Sequence, residues 1–483
     1  MSLKLQLITS IKWLVLAQAF SQIVRICVSI FVIRKLDPEL LALVAMSETV
    51  VGFLVMFSNF GLNAVIITKN DLSRSDHENI LGLTLLINIL LALLLFVSST
   101  SISNFYNSPE VAEILRILSF GFLIVALGAV HGSLLQKEMK FKTLSLIQAA
   151  AGIIGAIVSF TLINNGFSYW SIVYGGLATQ LTRSIMQITS SKNWIMPRIN
   201  IKNSIQHISF GGYIMGAGLA WYLLVTMDNI IAGRLWSPEI FGIYAVAIQF
   251  AVLPINKLMP LLRIVALPAY SKSLGTNIEL LENYLSKSLM YVASLVFPVY
   301  FGLASISSLV FPIFFGTKWE SAAGPFGILC LVIPFRFLIE LHSPAAVASG
   351  HPRLHFQLTV INMIIMVTCF VVVAYNYETP LYLALSWLII YPILTILTSK
   401  EYCRIMNISF IVIFKAIYPF ITASTLMTII VRIYILVITD YLSGIPLLIS
   451  AIIVGIITFG IFVLLIDRKA LYTYKTLLKR ESI

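Results

Sequence analysis

Residues 34–45 read RKLDPELLALVA, and residues 234–245 read RLWSPEIFGIYA. At one fixed offset of 200 the two stretches share Arg34 with Arg234, Pro38 with Pro238, Glu39 with Glu239 and Ala45 with Ala245. Each copy lies between two long apolar runs, so each reads as the joint between two helices. One helix leaves the membrane at an arginine, and Pro-Glu opens the next. Proline suits the first helical position because no N–H is needed there, and a glutamate suits the positive end of the helix dipole. The pattern predicts a helical unit used twice.

The chain around these joints is 59% hydrophobic and 11% charged, with a mean hydropathy of +0.96. That is far from the composition of soluble domains. Apolar runs of membrane-crossing length recur from 11–33 to 445–467, about fourteen in all, with 357–376 and 380–399 separated by only a few residues. Each can cross a hydrocarbon layer of roughly 30 Å as a helix, whereas barrel strands would be alternating segments of about ten residues. The fold class is therefore an all-α polytopic membrane protein with about fourteen transmembrane helices. The first run continues past Arg25 without a small-residue cleavage site and reads as a retained helix.

Lys and Arg residues set the orientation. With both termini on the cytoplasmic side, 23 of the 32 fall at the inner face, 6 at the outer face, and Arg25, Lys257 and Arg336 within apolar runs. Basic residues confined to short loops also remove nucleic acid as the reason for a net charge of +12. Cys27, Cys330, Cys369 and Cys403 are scattered without paired spacing, and His342, His351 and His355 have no partner set, so no metal site or disulfide framework is expected. Six helices separate the two joints. An even number preserves orientation and relates the copies by an axis along the membrane normal. Phe105-Tyr106-Asn107 with Glu110 is loosely echoed by Phe314-Phe315-Gly316 with Glu320. The expected organisation is an N-lobe at 1–190, a cytoplasmic linker at 191–204, a C-lobe at 205–400, and two further helices with a basic tail at 401–483. The two lobes are pseudo-symmetric, with six helices each.

Polar residues inside the spans are the candidate site. Gln18, Gln22, Arg25 and Ser29 share one face of the first helix by their spacing. A charge at that depth costs about 2.5–3.5 kcal/mol on insertion scales, so Arg25 is expected to face protein or a watery cavity. On the eighth helix Gln249, Asn256 and Arg263 recur every seven residues, with Lys257 beside them. The acidic candidates for ion coupling are Glu48 and Asp228. Glu48 is also placed to pair with Arg25. Arg336 and Glu340, four apart, read either as a structural pair or as cavity residues. Gly211, Gly212, Gly216 and Gly218 read as close helix packing, with a hinge as the alternative. Trp170, Tyr169, Trp236 and Trp319 read as interfacial anchors.

Several stretches resemble the polysaccharide-exporter branch of the multidrug/oligosaccharidyl-lipid/polysaccharide flippase superfamily, the Wzx-type flippases. They are VIRKLDPELLALVAM at 32–46, SNFGLNAVIITKNDLSRSD at 58–76, LRILSFGFLIVALGAVHGSLLQKEMKFKTLSLIQ at 115–148, TMDNIIAGRLWSPEIFGIYAVA at 226–247 and LPAYSKS at 267–273. The resemblance implies two six-helix lobes in a V around a central cavity. It also implies alternating access that carries a polyprenyl-diphosphate-linked oligosaccharide across the bacterial cytoplasmic membrane for surface polysaccharide assembly. Arg25 matches the cavity cation that would dock the diphosphate; Lys257 and Arg263 match it approximately. Gln18, Gln22, Gln249 and Asn256 would meet sugars. A polysaccharide polymerase and assembly proteins are the implied partners.

No GxxxxGK[ST] pattern occurs, so ATP is not the expected energy source, and no cofactor is expected beyond proton or sodium coupling. The alternative on the same lobes is a cation-coupled multidrug exporter, which would want acidic rather than cationic pocket faces. A membrane glycosyltransferase or polymerase would need acidic catalytic residues on a sizeable loop, and the loops are short. The protein is expected not to be an enzyme.

Overall fold

In a computed structural model, residues 3–58, 62–68, 72–191, 195–198, 212–273 and 278–466 are described. Among them are fourteen helices of 21 to 36 residues. In chain order they are α1 (Leu3–Lys35), α2 (Pro38–Ser58), α4 (Arg74–Tyr106), α5 (Glu110–Lys137), α6 (Phe141–Asn164), α7 (Trp170–Ser190) and α8 (Gly212–Leu235). They continue with α9 (Pro238–Ser273), α10 (Ile278–Ser305), α12 (Ala323–Ala348), α13 (Pro352–Asn376), α14 (Pro380–Ile405), α15 (Phe410–Ile438) and α16 (Gly444–Ile466). Two short helices, α3 (Leu62–Thr68) and α11 (Ser307–Val310), interrupt the series. Eleven of the helices are long and apolar enough to cross a membrane, and α7 is not among them. Gln180, Arg183 and Gln187 lower its hydropathy.

The echoed joints fold alike. Pro38 and Pro238 are the first residues of α2 and α9. Leu41 N–H donates to the Asp37 carbonyl and Phe241 N–H to the Ser237 carbonyl, closing the first turn of each. Leu36 and Trp236, in matching positions, are both buried. The two joints also touch: a Cβ on Gly242 would lie 1.9 Å from the Pro38 carbonyl oxygen, and one on Gly233 would lie 3.1 Å from the Tyr106 ring. The chain divides into two compact units, Met1–Met215 with Ala232–Gly242, and Gly216–Ile231 with Ile243–Ile483. The second joint packs on the first and is grouped with its unit. Residues 192–194 and 199–204 of the linker lie outside the described residues.

In the first unit α4 begins with a capping box. Asp76 N–H donates to Ser73 Oγ at 3.2 Å, and Ser73 N–H donates to Asp76 Oδ2 at 2.8 Å. It ends at Asn107 in the left-handed region, φ 54°. Leu62 and Ile66 of α3 pack under Ile80, Leu81, Val130 and Leu134. Arg198 lies along the start of α4, its N–H donating to the Glu78 carbonyl at 3.0 Å and its guanidinium 3.2 Å from the Glu78 carboxylate.

In the second unit α9 keeps its helix through Pro254, and the Ile255 N–H beside this interruption of the ladder donates to Tyr300 Oη at 3.0 Å. α15 closes the end of α10: Thr428 Oγ1 donates to the Phe301 carbonyl at 3.1 Å and Arg432 to the Ala304 carbonyl at 3.2 Å. The segment expected to form a loop before α12 is a π-turn over Phe311–Phe315 followed by a 3₁₀ turn over Thr317–Ala322. Trp319 within it is fully buried, and Trp236 nearly so, which corrects their reading as interfacial anchors: both are core side chains.

Candidate polar sites in the two units

In the first unit, Arg25 is half-buried on α1 and turns toward α6. Its Cδ lies 2.7 Å from where a Cβ on Gly152 would stand, so the glycine clears the path of the arginine stem. One turn earlier Ser21, 4% exposed, donates to the Ala149 carbonyl at 3.0 Å and fastens α1 to α6 at this level. Gln22 is half-buried, while Gln18 and Ser29 are exposed. Glu48 is exposed on α2, and no ion pair joins it to Arg25 among the described residues. In the same unit a second cation, Arg183 on α7, is exposed and lines a cavity.

Arg183 belongs to a stripe that the sequence reading missed. Gln180, Arg183, Ser184 and Gln187 stand at spacings of three, one and three, on one face of α7. Opposite them α5 presents Gly121, Gly128 and Gly132. A Cβ at these positions would lie 2.8 Å from Gln180 Oε1, 2.7 Å from Gln187 Oε1 and 2.7 Å from Gln187 Nε2. The glycines give the long polar side chains room to lie between the helices. The result is a cavity of about 260 Å³ lined by α5, α6 and α7, with Gln136, Gln180, Arg183, Ser133, Ser184 and Gln187 as its polar wall. The spacing is local in the sequence, and the polar residues read equally well as the end of a span.

The second unit buries its charges differently. Asp228 on α8 is 0% exposed, and its carboxylate is saturated: Tyr244 Oη donates at 2.6 Å, Trp387 Nε1 at 2.9 Å and the Asn229 N–H at 2.8 Å. Arg336 on α12 is also buried, with its guanidinium 5.6 Å from the Trp221 ring centre and 6.0 Å from that of Trp387. Arg336 Nε and Tyr391 Oη are buried without a hydrogen-bond partner. Glu340 is buried one turn beyond Arg336, and no ion pair joins the two among the described residues. Gln249 and Asn256 are exposed on α9. The side chains of Lys257 and Arg263 lie outside the described residues. His355 Nδ1 lies 2.8 Å from Tyr402 Oη, and His342 Nδ1 lies 2.7 Å from the Leu338 carbonyl, so both rings take part in helix contacts.

Residues 11–324 match the family described as polysaccharide biosynthesis protein. The chain is 27% identical over 311 residues to the teichuronic acid biosynthesis protein TuaB of Bacillus subtilis (strain 168), a match that spans 62% of each chain. It is 22% identical over 378 residues to the lipopolysaccharide biosynthesis protein WzxC of Escherichia coli (strain K12), covering 77% of this chain and 76% of that one. In fold it is similar to the lipid II flippase MurJ in an inward closed conformation, with a TM-score of 0.75 at 16% identity over 95% of this chain and 99% of that one. It is also similar to a multidrug resistance MATE family transporter in an inward-facing conformation, with a TM-score of 0.62 at 15% identity over 80% and 94%. The chain belongs to the polysaccharide biosynthesis protein family, within the exporter branch of the multidrug/oligosaccharidyl-lipid/polysaccharide flippase superfamily, and is a multi-pass membrane transporter of polysaccharide biosynthesis rather than an enzyme.

Proposed function

We propose that the protein carries a polyprenyl-diphosphate-linked oligosaccharide unit across the bacterial cytoplasmic membrane by alternating access, with both termini cytoplasmic, for assembly of a surface polysaccharide. The observation that supports this best is the pair Arg25 and Arg183 in the first unit. Both cations belong to the same unit, Arg183 lines its cavity, and neither makes an ion pair among the described residues. Cations without a carboxylate partner suit an anionic ligand. A diphosphate carries the needed charge and presents oxygens that a guanidinium fork binds in pairs. A cationic drug would be repelled from the same place, which weighs against the multidrug reading.

Glu48 and Asp228 remain the acidic groups proposed for proton or sodium coupling, and their settings rank them. Glu48 is an exposed residue of α2, whereas three donors already occupy Asp228. Gln18, Gln22, Gln249 and Asn256 are proposed sugar contacts, with Lys257 and Arg263 as further anion contacts. Arg336 and Glu340 are proposed to hold the second unit together. The test is leaflet-resolved accessibility of a lipid-linked oligosaccharide in proteoliposomes. Wild type should move the lipid and Arg25→Ala should not, with both proteins folded; a wild type that leaves the lipid in its starting leaflet overturns the function. Transport that continues unchanged after both ion gradients are collapsed would remove the coupling.

A further inference from the structure

The cavity between α5, α6 and α7 has a composition that the diphosphate does not need. Its wall holds three primary amides and two hydroxyls besides Arg183, its floor is Val125, Ala129 and Leu144, and it contains no carboxylate. An amide offers a donor and an acceptor side by side, and a serine hydroxyl offers both from one atom. That set matches a ring of sugar hydroxyls, each of which donates and accepts, while the apolar floor suits the C–H face of a pyranose. Gln180 borders the cavity, with its Oε1 turned toward Gly121 of α5.

Size narrows the occupant. A cavity of about 260 Å³ has room for one pyranose ring with its substituents. Arg183, on the wall, adds one positive charge for a phosphate on that ring. We infer that the α5–α7 cavity is a subsite for a single phosphorylated pyranose, the sugar at the junction between the glycan and the diphosphate. The inference rests on the proposed carriage of a lipid-linked oligosaccharide and names the part of that substrate which the first unit reads.

The experiment is saturation-transfer NMR on the full-length protein in nanodiscs. The probes are glucose 1-phosphate, galactose 1-phosphate and N-acetylglucosamine 1-phosphate, with glucose and inorganic phosphate as comparisons. At least one sugar phosphate should receive saturation on its ring protons and bind more tightly than either comparison. Gln180→Leu and Gln187→Leu should each weaken that sugar phosphate about tenfold, roughly the worth of a charged or paired hydrogen bond, and leave inorganic phosphate unchanged. Arg183→Gln should reduce it to the level of glucose. Should the glutamine variants disturb the α5–α7 contact, Ala129→Leu fills the cavity floor without touching a polar group and should abolish ring contacts. The inference is overturned if no sugar phosphate binds, or if inorganic phosphate binds equally well and the glutamine variants change nothing. Translocation separates the two ideas. Lipid transport that survives Gln187→Leu and Ala129→Leu at wild-type rate keeps the function and removes the subsite. Sugar-phosphate binding with the expected pattern in a protein that moves no lipid keeps the subsite and removes the function.

Discussion

The two units hold charge in opposite ways. In the first, Arg25 is half-buried and Arg183 is exposed and borders open space. In the second, Asp228 is sealed by a phenol, an indole and a backbone amide, and Arg336 lies against two indole rings. The cations of the first unit are open to a partner, whereas the carboxylate of Asp228 is fully buried among donors. Open cations suit a partner that arrives from outside, whereas a closed set contributes to holding helices in place.

The largest effect that sharpens this contrast is on transport. Arg25→Ala and Arg183→Ala should each lower the translocation rate on the order of 100-fold, because a charge-assisted contact to phosphate in a dry site contributes several kcal/mol. Thermal stability of both variants should stay near wild type. Asp228→Ala should do the reverse. It removes the acceptor of the Tyr244 hydroxyl and the Trp387 N–H and should destabilise the protein by about 3–5 kcal/mol in a denaturation series. If Asp228→Asn abolished transport at unchanged stability, the contrast between the units would break. A smaller change is expected from Gly128→Ala. Its Cβ would stand 2.7 Å from Gln187 Oε1 and 2.8 Å from the Ser184 backbone, so overpacking should cost about 1–3 kcal/mol and displace the α7 stripe. The smallest effect should come from Tyr391→Phe, which removes a buried hydroxyl that has no partner; the midpoint should rise by less than about 1 kcal/mol equivalent.

How far the sequence spoke depended on the distance over which each signal acts. Pro38 and Pro238 mark helix starts by a local rule, and both are the first residues of helices. Among the described residues, eleven of the fourteen long helices are apolar enough to declare themselves as spans within about twenty residues. The closure of Asp228 could not be read this way, since its donors Tyr244 and Trp387 stand 16 and 159 positions away. Trp319 and Trp236 sit near span ends, where an aromatic suits an interface or a core equally well; only their neighbours decide, and the neighbours bury them. α3, with seven residues, is too short for a helical period to register. Arg183 shows a different failure. Its stripe was fully local, but hydropathy treats Gln, Arg and Ser in a span as a sign of its end, and the glycines of α5 that make room for them lie more than 50 positions earlier.

The contact of Gly242 with Pro38 bears on how the protein is made. Translation delivers α1 to α7 first, yet the first unit also contains Ala232–Gly242, which is synthesised only after most of α8. Until that segment is in place the backbone surface at Pro38 has no cover, since only a residue without a Cβ can approach it so closely. The unit therefore cannot be completed in the order in which its helices emerge. A ribosome must pass the second joint before the first one is finished, and a chain released at residue 215 would enter the membrane with its opening joint still waiting for its counterpart.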